Sequence, residues 1–163
     1  MNIESLSTLY SYNHDSGEFI RIGKLNNYGR GTIGEVVGSL DAKGYLTVFH
    51  KGKHIKLHRL AWLLYYREEP KGMIDYINGI RTDNRIVNLR IANKSGNAFN
   101  AKIYRNNSTG YKGVYRKGEK FGAQARLNGK KVHIGTYKTI EEAANAYKTF
   151  SIKHHGEYSF FNR

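Results

Sequence analysis

The sequence predicts an α+β fold of short antiparallel strands and a few helices, and three observations indicate it. Residues 9–55 alternate short β-like runs with glycines. Residues 56–103 read as a helix followed by a compact strand, loop, strand and helix. From residue 111 onward, strands with one apolar face precede a single amphipathic helix. Short strands with frequent turn signals are typical of antiparallel sheets.

The N-terminal region is predicted to form a small antiparallel sheet. Its β-like runs are Glu18 to Ile22, Gly34 to Val37, Gly44 to Phe49 and Lys53 to Leu57. Tyr12, Tyr28 and Tyr45 are interpreted as core or turn aromatics of this region.

The middle region begins with a predicted helix from His58 to Tyr66, because its apolar residues recur at helical spacing. Pro70 and Gly72 close that segment. Further elements are expected at Met73–Ile77 (strand), Leu89–Ala92 (strand) and Ser95–Ala101 (helix).

The C-terminal region is predicted to be a three-stranded antiparallel sheet backed by one helix. Apolar residues alternate with polar ones over residues 120–127, and Asn128-Gly129 is a hairpin turn signal. Thr139 and Glu142 have the spacing of a capping box at the start of the helix. The predicted domains are 1–55 (β-rich), 56–103 (middle core), 104–110 (linker) and 111–163 (sheet and helix).

Positive charge is concentrated at the C-terminal end. The net charge is +14, and residues 101–163 hold 13 of the 27 Lys and Arg residues but only 4 of the 13 acids. Such a block repels itself unless it meets a polyanion, and 13% aromatic content argues against a disordered tail. We therefore expect folded nucleic-acid binding, with a generally basic soluble protein as the plainer alternative.

Composition also excludes several classes of protein. There is no cysteine, so disulfides and thiolate zinc sites are excluded. The longest apolar stretch, Leu60 to Tyr66, is too short to span a bilayer, and the N-terminus lacks a signal-peptide pattern. We expect a soluble intracellular protein with no membrane partner.

Asp75, Asn88 and Asn97 are the residues best suited to chemistry. Phosphodiester hydrolysis with one hard cation needs oxygen ligands, a base, and a group that orients the base. An Asp and an Asn carbonyl suit Mg²⁺ or Mn²⁺, and a second Asn suits the orienting role. The plainer alternatives are a turn carboxylate for Asp75 and loop-holding turns for Asn88, Asp83 and Asn84, and for the last two we favour the turn role.

Five segments of the middle region resemble the HNH homing endonucleases of phages and mobile elements. They are residues 58–62 (HRLAW), 74–79 (IDYING), 82–86 (TDNRI), 88–90 (NLR) and 97–100 (NAFN). The resemblance implies a ββα-metal finger in which an Asp-His pair supplies a metal ligand and the general base. By position, the resemblance implies that Asp75 and Asn97 are metal ligands and that Asn88 orients the base, and Tyr76 stands at the base position.

The C-terminal region resembles the APETALA2 or ethylene-response-factor DNA-binding domain. The matching segments are residues 113–115 (GVY), 121–123 (FGA), 133–137 (HIGTY), 141–147 (EEAANAY) and 155–157 (HGE). Phe121 stands where that family usually has Trp. The two resemblances imply a phage protein in the cytoplasm of its host, with double-stranded DNA as its partner and RNA as a weaker alternative.

The sheet of this region is expected to present a basic face to DNA. Arginine can bridge guanine atoms in the major groove, and lysine mostly binds phosphate. The candidate DNA-binding residues are Arg116, Lys120, Gln124, Arg126, Lys131 and His133.

Tyr76 decides how far catalysis can be expected. A phenol with a pKa of about 10 is far less available as a base at neutral pH than an imidazole with a pKa of about 6.5. His58 could serve as base instead, although a structural role is an equal alternative for it. Two hypotheses stay open at this stage: a metal-dependent HNH endonuclease with impaired cleavage, and a non-catalytic DNA-binding or RNA-binding protein derived from one.

Overall fold

The computed structural model describes residues 3–24, 31–92, 99–100, 103 and 105–162. It confirms an α+β fold of small antiparallel sheets. The chain divides into two compact units, Met1–Ala92 and Asn93–Arg163. This boundary lies before the predicted linker at 104–110, whose own role stays a prediction.

The first unit contains three small sheets and two helices. β1 pairs with β2, β4 lies between β3 and β5, and β6 pairs with β7, all antiparallel. Their bounds are α1 Ile3–Ser7, β1 Tyr10–Tyr12, β2 Phe19–Arg21, β3 Ser39–Leu40, β4 Leu46–His50, β5 Lys53–Lys56, α2 Leu57–Tyr66, β6 Met73–Tyr76 and β7 Leu89–Ala92, with a 3₁₀ turn at Ile86–Asn88.

Helix α2 supplies the centre of this unit's core. Leu57, Leu60, Ala61 and Leu63 recur at helical spacing and are buried against strand residues, among them the fully buried Phe19. The helix ends at Arg67, which adopts a left-handed conformation with φ 60°. The predicted helix at 58–66 is therefore confirmed.

The N-terminal strands differ in part from the prediction. Gly34–Val37 does not form a strand, and only an isolated bridge joins Val36 to Ile20. Gly34 has a φ of +93°, which interrupts extended backbone at the start of the predicted run. Tyr10–Tyr12 and Ser39–Leu40 are strands that the glycine-punctuated pattern does not indicate.

The strand–loop–strand of the middle region forms as predicted. β6 and β7 are antiparallel, and their register places Asp75 opposite Arg90 and Tyr76 opposite Leu89. The loop between the strands ends in the 3₁₀ turn at Ile86–Asn88. Of the predicted helix Ser95–Ala101, Phe99 and Asn100 are helical, and the remaining residues, Asn97 among them, lie outside the described part of the chain, as does Tyr28.

The second unit is a three-stranded antiparallel sheet packed on one helix, as predicted. The strand order is β10, β9, β8, so β8 is an edge strand. The capping box is confirmed: the Glu142 N–H donates to the Thr139 hydroxyl, and the Thr139 N–H donates to the Glu142 carboxylate. The bounds are β8 Val114–Lys117, β9 Lys120–Leu127, β10 Lys130–Tyr137 and α3 Ile140–His155, followed by a 3₁₀ turn at Gly156–Tyr158.

Alternation along β9 separates the two faces of this sheet. Ala123 and Ala125 are buried in one cluster with Ala143 and Tyr147 of α3. Gln124 and Arg126 therefore point away from the helix, because successive side chains of a strand lie on opposite faces.

Candidate functional site

Tyr76 lies in the interior of the first unit and joins three of its elements by hydrogen bonds. Its side chain is only 4% exposed. The phenol donates to Asn84 Oδ1 over 2.9 Å and lies 2.9 Å from His58 Nδ1. Strand β6, helix α2 and the loop before β7 therefore meet at one hydroxyl group.

The tautomer of His58 is coupled to the orientation of the Asn84 amide. With Asn84 Oδ1 accepting the one phenol hydrogen, the neutral imidazole that completes the network carries its hydrogen on Nδ1 and donates it to the phenol oxygen. In this arrangement Asn84 Nδ2 is buried and has no hydrogen-bond partner among the described residues. Asn84 itself is 1% exposed, and its backbone carbonyl accepts a further hydrogen bond from the Tyr12 hydroxyl at 2.6 Å.

Burial stabilises the neutral forms of the Tyr76 phenol and the His58 imidazole. It raises the pKa of the Tyr76 phenol above its usual value, with nearby Tyr45 and Asp83 acting in the same direction. Burial, assisted by Lys56 and Arg59, lowers the pKa of His58 from 6.5 to about 4. The phenol and the imidazole are thus both neutral at pH 7.

Asp75, the predicted metal ligand, is paired with an arginine. It is 5% exposed, and its Oδ2 accepts hydrogen bonds from Arg90 Nε at 3.0 Å and Nη2 at 2.8 Å. The register of β6 and β7 places the two residues directly opposite each other. A buried carboxylate held in this way is neutralised by its partner.

Asn88, the predicted orienting residue, holds the loop between β6 and β7. Its Oδ1 accepts the Asn78 N–H at 3.0 Å, and its Nδ2 donates to the Asp83 carbonyl at 2.8 Å. Asp83 closes the same loop, since its carboxylate accepts from Asn78 Nδ2 and the Arg85 guanidinium. The amide that receives the Tyr76 phenol belongs to Asn84, a residue for which the sequence favours only a turn role.

The described residues do not by themselves form a magnesium site. No group of three His, Cys, Asp or Glu side chains able to hold a metal occurs in the described part of the chain. Its candidate carboxylate, Asp75, is bound to Arg90. Mg²⁺ prefers several oxygen ligands in octahedral geometry, and Asn97, the other predicted ligand, lies outside the described residues.

Side chains of β9 and β10 together form the basic face of the second unit. Lys131 pairs with Arg126 and His133 with Gln124. Lys120 lies on the same face, opposite Lys117 of β8. Five of the six predicted DNA-binding residues therefore share the face that points away from α3.

Arg116, the sixth, lies on the other face of the sheet, so its inclusion in the basic face is corrected. It pairs with Phe121, whose ring packs against the core, and its Cζ is 5.5 Å from the centre of that ring. Val114 of the same strand is buried, and residues two apart in a strand share a face.

Tyr115 and Lys117 belong to the basic face instead. The sequence could have indicated this, because side chains alternate between the two faces along β8 and the apolar Val114 marks the core face. The Tyr115 ring covers Gly122, where a Cβ atom would come within 2.3 Å of its Cζ. The Tyr115 hydroxyl is 3.4 Å from His133 Nδ1, and His133 Nε2 is 3.3 Å from the Thr136 hydroxyl. The face thus combines cations with an aromatic ring and hydrogen-bonding groups.

A comparison with protein families matches the HNH endonuclease model to residues 56–99. The match supports an HNH nuclease domain in this part of the chain, and it begins one residue before α2 and includes β6 and β7. That family implies a nucleic-acid substrate, chiefly DNA, and its members typically use a divalent metal ion. No curated protein matches the chain. Within the described residues, no helix has the length and apolarity needed to cross a membrane.

We expect the stability of the first unit to fall as the pH falls from about 6.5 toward about 4, because of His58. Its pKa is lower in the folded state than in the unfolded chain, so the unfolded state binds the proton first. Urea unfolding at a series of pH values, followed by the fluorescence of Trp62, the only tryptophan, measures this slope.

The matched variants are His58→Gln and His54→Gln. The first should flatten the dependence between pH 6.5 and about 4, whereas His54 is exposed and its replacement should leave the slope unchanged. A steep slope that survives in His58→Gln would contradict the assignment.

Proposed function

We propose that this protein binds double-stranded DNA and carries an HNH-type domain whose phosphodiester cleavage is strongly impaired. The observation that carries the proposal is the burial of Tyr76 between His58 and Asn84. At the position where the family resemblance implies a general base, the chain places a neutral hydrogen-bonded phenol. General-base catalysis contributes about a hundredfold or more, so its loss accounts for a large deficit.

His58 does not replace the missing base in this arrangement. Its pKa of about 4 makes the imidazole a weak proton acceptor at neutral pH. Its Nδ1 faces the Tyr76 hydroxyl, and the whole residue is only 6% exposed. A water molecule poised for attack on phosphorus needs an accessible acceptor, and neither buried group provides one.

The ion pair of Asp75 with Arg90 supports the same conclusion. An arginine that already neutralises the carboxylate competes with a cation for the same oxygen. We therefore assign no step of a reaction to a metal at this site. Mg²⁺ and Mn²⁺ are used only as components of the plasmid-nicking assay.

DNA binding is assigned to the basic face of the second unit. Lys117, Lys120, Arg126 and Lys131 are exposed there. The described residues of this face include no acid, and a two-stranded ribbon or sheet fits the major groove. The APETALA2-like character of this unit and the phage or homing-element origin rest on the sequence resemblance and are part of the proposal.

A residual nuclease is the second candidate function. The match of residues 56–99 to the HNH endonuclease family favours it. In this alternative the natural chain nicks DNA slowly with a divalent metal ion, whereas in the first candidate the impairment leaves no detectable cleavage and DNA binding is the function.

Tyr76→His should raise metal-dependent nicking of supercoiled plasmid at least tenfold above the natural chain, because it restores an imidazole at the base position. The measurement is conversion of supercoiled to open-circular plasmid with Mg²⁺, with Mn²⁺ and without metal.

Tyr76→Phe is the matched control, since it keeps the ring and removes the hydroxyl. We expect it to cut no better than the natural chain. Robust cutting by the natural chain that disappears in Tyr76→Phe would refute impaired catalysis and would make the phenol a participant in the reaction.

Arg126→Ala and Lys131→Ala should each weaken binding to duplex DNA and lower the slope of log Kd against log salt by about 1. Arg116→Ala removes the same charge from the opposite face and should change neither quantity. Fluorescence anisotropy over a salt series measures both. Equal losses in all three variants would mean that net charge alone, rather than this face, determines binding.

A further inference from the structure

The first unit contains a long stretch of chain without acidic residues. Residues 42–67 include no Asp or Glu, and the five acids of residues 1–55 all lie at or before Asp41. Six cations occupy the stretch: Lys43, Lys51, Lys53, Lys56, Arg59 and Arg67. The net charge of residues 1–55 does not reveal this surplus of cations, because the acids at the N-terminal end balance it.

The hairpin of β4 and β5 lies within this stretch, and its side chains point to two opposite faces. Val48 and Ile55 are Cα partners that pack in the core of the unit. Phe49 and His54, the next pair, therefore lie on the opposite face, with their ring centroids 5.2 Å apart. Phe49 is 57% exposed, so its ring is accessible to a ligand.

Tyr45, just before β4, packs partly against the core and brings two cations close to the Tyr76 site. Lys56 Nζ lies 4.1 Å from the centre of the Tyr45 ring, and Arg81 Cζ lies 5.0 Å from it. The ring is in turn 5.4 Å from the ring of His58 and 6.1 Å from that of Tyr76. Two cations are thus held on one aromatic ring that borders the candidate site.

Hydrogen bonds fix these groups in place. Arg81 Nη1 donates to the Lys43 carbonyl at 2.6 Å, which ties the guanidinium to the turn between β3 and β4. Asp41, the acid of that turn, accepts the backbone N–H groups of Lys43 and Tyr45, and these hydrogen bonds help to lower its pKa. The Asp41 carboxylate also interacts electrostatically with Lys56, so the acid of the turn offsets part of the positive charge beside Tyr45.

We propose that this face, defined by Tyr45, Phe49, His54, Lys56 and Arg81 and here called the hairpin face, is a second contact surface for double-stranded DNA. Lys56 and Arg81 bind backbone phosphates beside the Tyr76 site, and Phe49 supplies an apolar contact to a sugar or an exposed base edge. This inference rests on the proposed function, since it takes the same DNA as ligand. It adds a DNA contact in the first unit, in part outside the segment matched by the family model.

The test uses the full chain and a 30-bp DNA duplex of random sequence, with binding measured by fluorescence anisotropy over a salt series. The double variant Lys56→Gln with Arg81→Gln should lower the salt slope by about 2 and weaken binding about tenfold or more near 0.1 M salt. Phe49→Ala should weaken binding about fivefold with an unchanged salt slope, because it removes an apolar contact.

The matched control is Lys24→Gln with Lys71→Gln, which removes the same charge from exposed positions of the same unit that are not part of the hairpin face. It should retain most of the affinity. The variants should fold, since Phe49 is exposed and the Lys56 side chain makes no capping hydrogen bond at the start of α2. Trp62 fluorescence and far-ultraviolet circular dichroism check this before binding is compared.

The outcomes separate this inference from the proposed function. A natural chain that binds no DNA overturns both. Binding that depends on Arg126 and Lys131 but is unchanged in the Lys56 and Arg81 double variant overturns the hairpin face alone. Equal losses in the control pair overturn it as well, and so does a loss confined to an RNA duplex of the same sequence, which would make RNA the ligand of this face.

Discussion

The Tyr76 hydroxyl is the interaction on which the middle of the first unit depends. It is the meeting point of β6, α2 and the loop before β7, and its two polar partners, His58 and Asn84, are themselves almost fully buried. An unsatisfied buried polar group costs about 1–3 kcal/mol, so each partner requires the hydroxyl. Tyr76, which stands where the family resemblance implies a catalytic base, is a buried hydrogen-bonding centre. This burial is the basis of the proposal that cleavage is impaired.

Positive charge in the chain is divided between two acid-poor surfaces, one in each unit. In the second unit, Arg126 and Lys131 face the same side of a sheet because they are Cα partners. In the first unit, Lys56 and Arg81 converge on the Tyr45 ring beside the candidate site. Both surfaces combine cations with aromatic side chains, which is the basis of the proposal that both contact duplex DNA.

The sequence predicts the elements well where periodicity is strong. Helix α2, strands β6 and β7, and the capping box at Thr139 all follow from local patterns. The N-terminal strands are predicted less well, because two- and three-residue strands leave almost no periodicity to detect. The face predicted for Arg116 is wrong for another reason. Charge alone does not show which side chains of a strand share a face, and here the buried Val114 shows it.

The sequence proposes a site at Asp75 and Tyr76, and this site stays a prediction. The contacts of the two residues could not be predicted, because the Arg90 partner of Asp75 depends on strand register and the contact of Asn84 with Tyr76 depends on the path of a loop. Long-range contacts of this kind have no local sequence signal. For Asn88 the sequence spacing fits an orienting role. In the structure, both the oxygen and the nitrogen of its side-chain amide form hydrogen bonds within the loop between β6 and β7.

The most direct test of the neutral Tyr76 centre is the ¹⁵N chemical shifts of the His58 imidazole, followed by NMR between pH 8 and pH 4. The account predicts a neutral ring at pH 7, with the proton on Nδ1 protected from exchange by its hydrogen bond to the phenol, and titration only near a pKa of about 4. An imidazole that titrates near 6.5 with a rapidly exchanging proton would contradict it, because such a ring would be an accessible base beside Tyr76.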